Sequence, residues 1–161
     1  MIRDAVLEDL PSIVAIYNST IADRLATADT EPITTASRVP WFHQHQSNLH
    51  PLWVLEQGQE IYGWLSLSAF YGRPAYRSTL EVSLYVAPDH RQQGVGKKLL
   101  AHTLAISPSL GVETLLGFIF AHNHPSLNLF TKHGFQSWGH LPEVAELDGI
   151  KRDLKILGLR L

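Results

Sequence analysis

The stretch that most narrows what this chain can fold into runs from Thr79 to Leu100. From Thr79 to Val86 the residues alternate, with Leu80, Val82, Leu84 and Val86 on one side and Thr79, Glu81, Ser83 and Tyr85 on the other. That period of two is a strand with one face against a core. Pro88 ends the strand, and after Arg91-Gln92-Gln93 the glycines Gly94 and Gly96 open a helix predicted to reach about Ile106, where Ser107-Pro108 stops it. A strand that turns through glycines straight into a helix leaves backbone N–H groups exposed at the helix start, where the peptide dipoles add roughly half a positive charge. Arg91, Lys97 and Lys98 add cations beside them. Two uses fit this pattern: a tight connection with a solvated basic first turn, or a cradle for a phosphate-like anion. The turn lacks the third glycine of a dinucleotide fingerprint, and Gly96-Lys97 is followed by Lys98, not the Ser or Thr of a P-loop.

The remaining elements follow from period and punctuation. Leu10, Ile13, Val14, Ile16 and Tyr17 predict a helix over residues 8–19, and a shorter one is expected over 35–46 after Thr30-Glu31-Pro32. Leu52–Leu55 and Ile61–Phe70 read as a hairpin around Gln57-Gly58-Gln59. Residues 112–120 are apolar enough for a buried central strand; Pro125 starts a further helix and Gly134 suits its left-handed end. Two last strands, 135–147 and 152–161, meet at the hairpin signal Asp148-Gly149. The order is β-α-α-β-β-β-α-β-α-β-β, an α/β (α+β) fold with helices on both sides of a mixed sheet. No repeat or linker-like run divides residues 1–161, so a single domain is expected.

Composition excludes several chemistries. Zero cysteines remove disulfides, thiolate metal sites and cysteine nucleophiles, and are compatible with a reducing compartment. A formal charge of −2 offers no overall attraction to nucleic acid or anionic lipid. Charges at Arg3, Asp4, Glu8 and Asp9 break any secretory leader, and no apolar run is long enough for a membrane span, so a cytoplasmic protein without nucleic-acid or membrane partners is expected. The nine histidines include His43-x-His45, His122-x-His124 and His133, but none stands with an acidic partner at ligand spacing, so no metal is expected.

Arg91-Gln92-Gln93-Gly94-Val95-Gly96 resembles the R/Q-x-x-G-x-G/A signature of the GCN5-related N-acetyltransferases (GNAT), and it follows the fourth predicted strand as in that family. Asn123-His124-Pro125-Ser126-Leu127-Asn128-Leu129-Phe130, with Lys132-His133-Gly134-Phe135, resembles the family's second signature. Tyr17-Asn18, Thr30-Glu31-Pro32, Phe70 to Tyr76 and Glu81 to Val86 are similar to the phosphinothricin or methionine sulfoximine acetyltransferases within it. One departure lies at Val144 to Gly149, where that subgroup often carries Trp-x-Asp.

The resemblance implies a mostly antiparallel sheet of about seven strands flanked by about four helices, acetyl-CoA as cofactor and a small amino-acid-like acceptor. It implies a diphosphate held by Arg91, Gln92, Gln93, Gly94, Val95, Gly96 and Lys97. The pantetheine arm would pair with the fourth strand around Leu84, Tyr85 and Val86, and Asn123, Ser126 and Phe130 would flank it. Glu81 is the candidate base, reached through water or by selecting the neutral amine, because a free amine must lose a proton before attacking the thioester. A backbone N–H near Leu84 to Val86 would meet the charge gathering on the thioester oxygen. Phe130 stands where many members place an acidic tyrosine, which leaves Tyr85, a water or unassisted departure for the thiolate. Arg73 is expected to meet the acceptor carboxylate, with Phe70, Tyr71 and Tyr76 as walls and Glu81 facing the substrate. Apolar Val39, Trp41 and Phe42, expected to be exposed, favour a homodimer. Other acceptors (a polyamine, an aminoglycoside, a protein N-terminus) and a non-catalytic acyl-CoA-binding module are the alternatives.

Overall fold

The computed structural model describes all 161 residues and contains a seven-stranded sheet in the order β1-β2-β3-β4-β5-β7-β6. Its strands are β1 (Ile2–Asp4), β2 (Leu52–Gln57), β3 (Glu60–Ala69), β4 (Thr79–Val86), β5 (Thr114–Phe120), β6 (Gln136–Leu147) and β7 (Ile150–Arg160). The helices are α1 (Leu10–Ser19), α2 (Thr35–His43), α3 (Val95–Ile106) and α4 (His124–Lys132). Every neighbouring pair is antiparallel except β4 and β5, which run parallel.

Strand alternation sorts the core into two layers. Trp53, Leu55, Leu65, Leu67, Leu80 and Val82 face α3 and α4, together with Leu99, Leu100 and Phe130. Leu52, Val54 and Trp64 face α1, where Leu10, Ile13, Val14 and Tyr17 lie buried at helical spacing. Trp64 donates its indole N–H to the Ile13 carbonyl at 3.1 Å, which fixes α1 against β3.

Local chemistry explains most of the boundaries. Gly58 and Gln59 between β2 and β3, and Asp148 and Gly149 between β6 and β7, all have positive φ. Both hairpins therefore turn in two residues with the twist that matches their strands, and β7 begins at Ile150, two residues before the predicted start. The predicted first helix opens instead as a 3-10 turn at Leu7–Asp9 and becomes α-helical at Leu10. The second stops at His43 rather than 46; Pro40 inside it removes one backbone donor from an already short helix. One expectation is corrected outright. Val39, Trp41 and Phe42 are not an exposed apolar patch: they are partly buried and pack against the α1 side of the core.

The feature that positions the site is a fork. β4 and β5 pair only over Thr79↔Thr114, Leu80↔Leu115 and Glu81↔Leu116. Beyond Glu81, β4 stays paired with β3 to Val86, while β5 stays paired with β7 to Phe120. The Leu67 N–H reaches Pro51 on the β2 side, so the alternate residues Ser68, Ser66 and Trp64 turn their amides to β4 and meet Glu81, Ser83 and Tyr85. Val82 still donates to β5 through the Glu81↔Leu116 pair, and the amides of Leu84 and Val86 beyond it point into the gap.

Candidate active site

The gap between β4 and β5 is a cavity of about 390 Å³. Glu81, Leu84, Tyr85, Asn123, Ser126 and Phe130, six residues expected from the sequence, line it. The glycine turn lies at the end of the β4 limb: Gln92 and Gly94 have φ of 62° and 78°, and α3 starts at Val95 with no side-chain cap. The first backbone bond of that start runs from Lys98 N–H to the Gly94 carbonyl; the N–H groups from Gln92 to Lys97 have no acceptor within the chain. They form a row of donors at the positive end of a helix dipole, which is the arrangement an anionic oxygen seeks. Gly96 allows the close approach of α4: a Cβ there would sit 3.0 Å from Leu129 and 3.5 Å from Leu84.

Asn123 caps α4, accepting from Ser126 N–H at 3.3 Å, and its amide donates to the Leu25 carbonyl at 3.2 Å. The adjacent His122 Nε2 lies 2.7 Å from the Arg24 carbonyl, and Arg24 pairs with Asp148 at 3.0 Å. These ties hold residues 25–28 as one wall of the cavity. Nothing in the local sequence marks that wall, because its partners are 98 residues away. Arg91 reaches back to Asp23 at 3.3 Å, so the turn and the wall segment are also linked.

Glu81 occupies the last paired position of the fork, half-buried, with no hydrogen bond or ion pair to the chain. Burial alone pushes its carboxyl above the ordinary carboxylate range. Tyr85 stands against Tyr17 at 5.1 Å and Trp64 at 4.7 Å between ring centroids. Burial, then the neighbouring Tyr17 and Glu81, push its phenol up, so it keeps its proton. Phe130 is buried edge-on against Phe135 at 4.8 Å and has no proton to give.

The β3–β4 loop lies apart. Phe70, Tyr71, Arg73 and Tyr76 do not line the cavity; Arg73 is exposed and makes no ion pair. Phe70 gathers Tyr71 and Tyr76 around itself and stacks on Phe118, which does line the cavity, so the loop abuts the site through one ring.

Comparison with known proteins identifies the family. The Acetyltransferase (GNAT) family matches residues 13–135. YwnH of Bacillus subtilis (strain 168), whose name provisionally makes it a phosphinothricin acetyltransferase, is 52% identical over 99% of this chain and 98% of its own length. The L-methionine sulfoximine/L-methionine sulfone acetyltransferase of Pseudomonas aeruginosa (strain PAO1) is 31% identical over 99% and 94%. Among solved structures, a GNAT superfamily phosphinothricin acetyltransferase from Sinorhizobium meliloti in complex with AcCoA superposes with a TM-score of 0.94 at 30% identity, covering 100% of this chain and 88% of that one.

Proposed function

The chain belongs to the acetyltransferase (GNAT) family, and on that premise we propose that it transfers the acetyl group of acetyl-CoA directly to the amine of a small amino acid or analogue of the phosphinothricin or methionine sulfoximine type. The observation that carries the reading is the fork itself: a row of partnerless N–H donors from Gln92 to Lys97 at one end, outward-facing amides of Leu84 and Val86 along its length, and a partnerless carboxyl, Glu81, at its closed end. These groups fit the coenzyme in order. The turn suits a diphosphate, the strand edge suits the amides of the pantetheine arm as an added strand, and Asn123 and Ser126 suit its other side. When bound, acetyl-CoA supplies the activated thioester.

Glu81 is the base in this reading. An ammonium acceptor loses its proton by way of Glu81 and water; the new N–C bond forms as the C–S bond of the thioester breaks, and the sulfur leaves to become a thiol. The carboxyl's raised pKa brings it nearer the operating range of a general base. An N–H of the Leu84–Val86 edge meets the charge gathering on the thioester oxygen. Tyr85, protonated and lining the cavity, is the side chain placed to serve the departing sulfur, since Phe130 cannot. Arg73 is proposed for the acceptor carboxylate, carried on a loop that touches the cavity through Phe70 and Phe118. A homodimer is proposed with the free edge of β6 as its contact, where Trp138, Leu141 and Val144 are exposed; a monomeric sedimentation coefficient would remove it.

The test is thiol release from acetyl-CoA with a panel of amino acids, their sulfoximine and sulfone analogues, polyamines and peptides. Turnover on the amino-acid analogues is the expected result. Turnover confined to polyamines or peptides, or coenzyme binding without thiol release on any amine, overturns this reading.

A further inference from the structure

A second cavity, of about 160 Å³, shares Ser83 and Tyr85 with the fork and extends from them beneath α1 and α2. Its floor is unusual for the covered face of a sheet. The alternation of β3 and β4 sets Ser68 opposite Glu81 and Ser66 opposite Ser83, so three hydroxyls lie side by side next to the candidate base. Ser66 is 2% exposed as a residue, and Ser66, Ser68 and Ser83 line the chamber without a side-chain hydrogen bond within the chain.

Arg38 forms the opposite wall. Its guanidinium lies over the rings of Tyr17 at 5.3 Å and Trp41 at 5.6 Å, which holds the plane of the group. Its nearest carboxylate, Asp29, is 3.7 Å away, beyond hydrogen-bond distance, and that carboxylate is hydrogen-bonded by the Tyr17 hydroxyl instead. The guanidinium fork, with five N–H donors, makes no hydrogen bond within the chain and lines the same chamber as the three serines, whose other walls are indole and phenol rings and aliphatic chains. At roughly 30 Å³ per water, the space equals about five waters, enough for a short side chain. Asp29 offsets the charge of Arg38, so the chamber is close to neutral; a full anion would be desolvated there without a net counter-charge. A neutral group rich in accepting oxygens has no such penalty.

We infer that this chamber receives the acceptor's side chain and that Arg38 determines specificity by donating to a neutral oxo group at its end, such as a sulfone or sulfoximine oxygen. The inference rests on the proposed reading that the acceptor amine lies at Glu81. It explains why polar groups interrupt the core on this one face: an apolar pocket of the same size would take a thioether as readily as its oxidised form.

The test compares methionine sulfone with methionine, which differ only in the two oxygens, at saturating acetyl-CoA. Wild type should favour the sulfone by tenfold or more in kcat/KM. Arg38→Met should lose most of that preference, through a raised KM for the sulfone with little change for methionine, and calorimetry on the CoA-bound protein should show the same loss of sulfone affinity. Arg38→Lys, which keeps the charge but not the fork, should fall between. Because Arg38 also packs on two rings, Ser66→Val, which fills the chamber from its floor, provides the independent arm and should weaken the sulfone selectively. An equal loss on both acceptors, or a preference that survives Arg38→Met and Ser66→Val, overturns the inference while leaving the proposed function intact. Wild-type protein that binds acetyl-CoA and acetylates neither amino acid overturns the proposed function, and this inference with it.

Discussion

The two limbs of the fork are built alike and finished differently. Each is a strand, a turn and a helix: β4 into α3, and β5 into α4. In the second limb the helix start is met. β5 pairs with β7 along all of Thr114–Phe120, and Asn123 caps α4. In the first limb it is not. β4 loses its β5 neighbour after Glu81, α3 has no side-chain cap, and the turn leaves its N–H groups without acceptors from Gln92 to Lys97. Solvent-exposed donors of this kind are met by water until a ligand with accepting oxygens displaces it. Their concentration at the start of α3, where α4 instead has a side-chain cap, separates a helix end left open for an anion from one closed by its own chain.

That contrast can be broken at several points. The largest effect is expected at Glu81: Glu81→Gln should lower kcat/KM by at least tenfold, and by as much as a hundredfold if the carboxyl moves the proton in the rate-limiting step. Acetyl-CoA affinity should stay unchanged. In wild type the rate should fall as the pH drops through a carboxyl midpoint above the ordinary range, and the variant should lack that limb.

Next comes the turn. Gln93→Glu sets a negative charge among the free N–H groups and should weaken acetyl-CoA binding by about tenfold, or 1.4 kcal/mol, measured by calorimetry. Raised salt should reduce that penalty. On the second limb, Asn123→Ala removes the α4 cap and the tie to Leu25. It should cost about 1 kcal/mol and lower Tm by roughly 2–4 °C. If Asn123→Ala instead left Tm unchanged, the cap would not be what secures the start of α4.

The smallest effect concerns stability and has a definite sign. The carboxyl of Glu81 is raised in the folded state, so its favourable contribution is complete when it is protonated and is lost as pH rises through the folded pKa. Glu81→Gln has no charge to bury. Its Tm should exceed that of wild type near neutral pH, and the difference should close as the pH is lowered below the ordinary carboxyl range. A gap that is constant with pH would mean that Glu81 is better solvated than its position suggests.

Features with local causes were legible in the residues. The alternation of Thr79–Val86, the left-handed Gly134, the Asp148-Gly149 turn and the stop at Ser107-Pro108 each depend on a few neighbours in the chain, and each is where it was expected. Helix starts were legible for the same reason, and six of the expected site residues line one cavity because they sit on two such units. What could not be read was how far apart β4 and β5 would stand beyond Glu81, since that is set by which strand each pairs with elsewhere in the sheet. The wall at residues 25–28 is held by His122 and Asn123 across 98 positions, so no local pattern announces it. Trp41 could be read as apolar but not as inward-facing; only the arrival of Trp64 on a distant strand, with rings 5.6 Å apart, decides that. The chain alone thus settled its elements and the chemistry of its glycine turn, through short-range sterics and hydrogen bonding. The depth of the fork and the chamber around Arg38 come from contacts between segments far apart in sequence, which exist only once the sheet has closed.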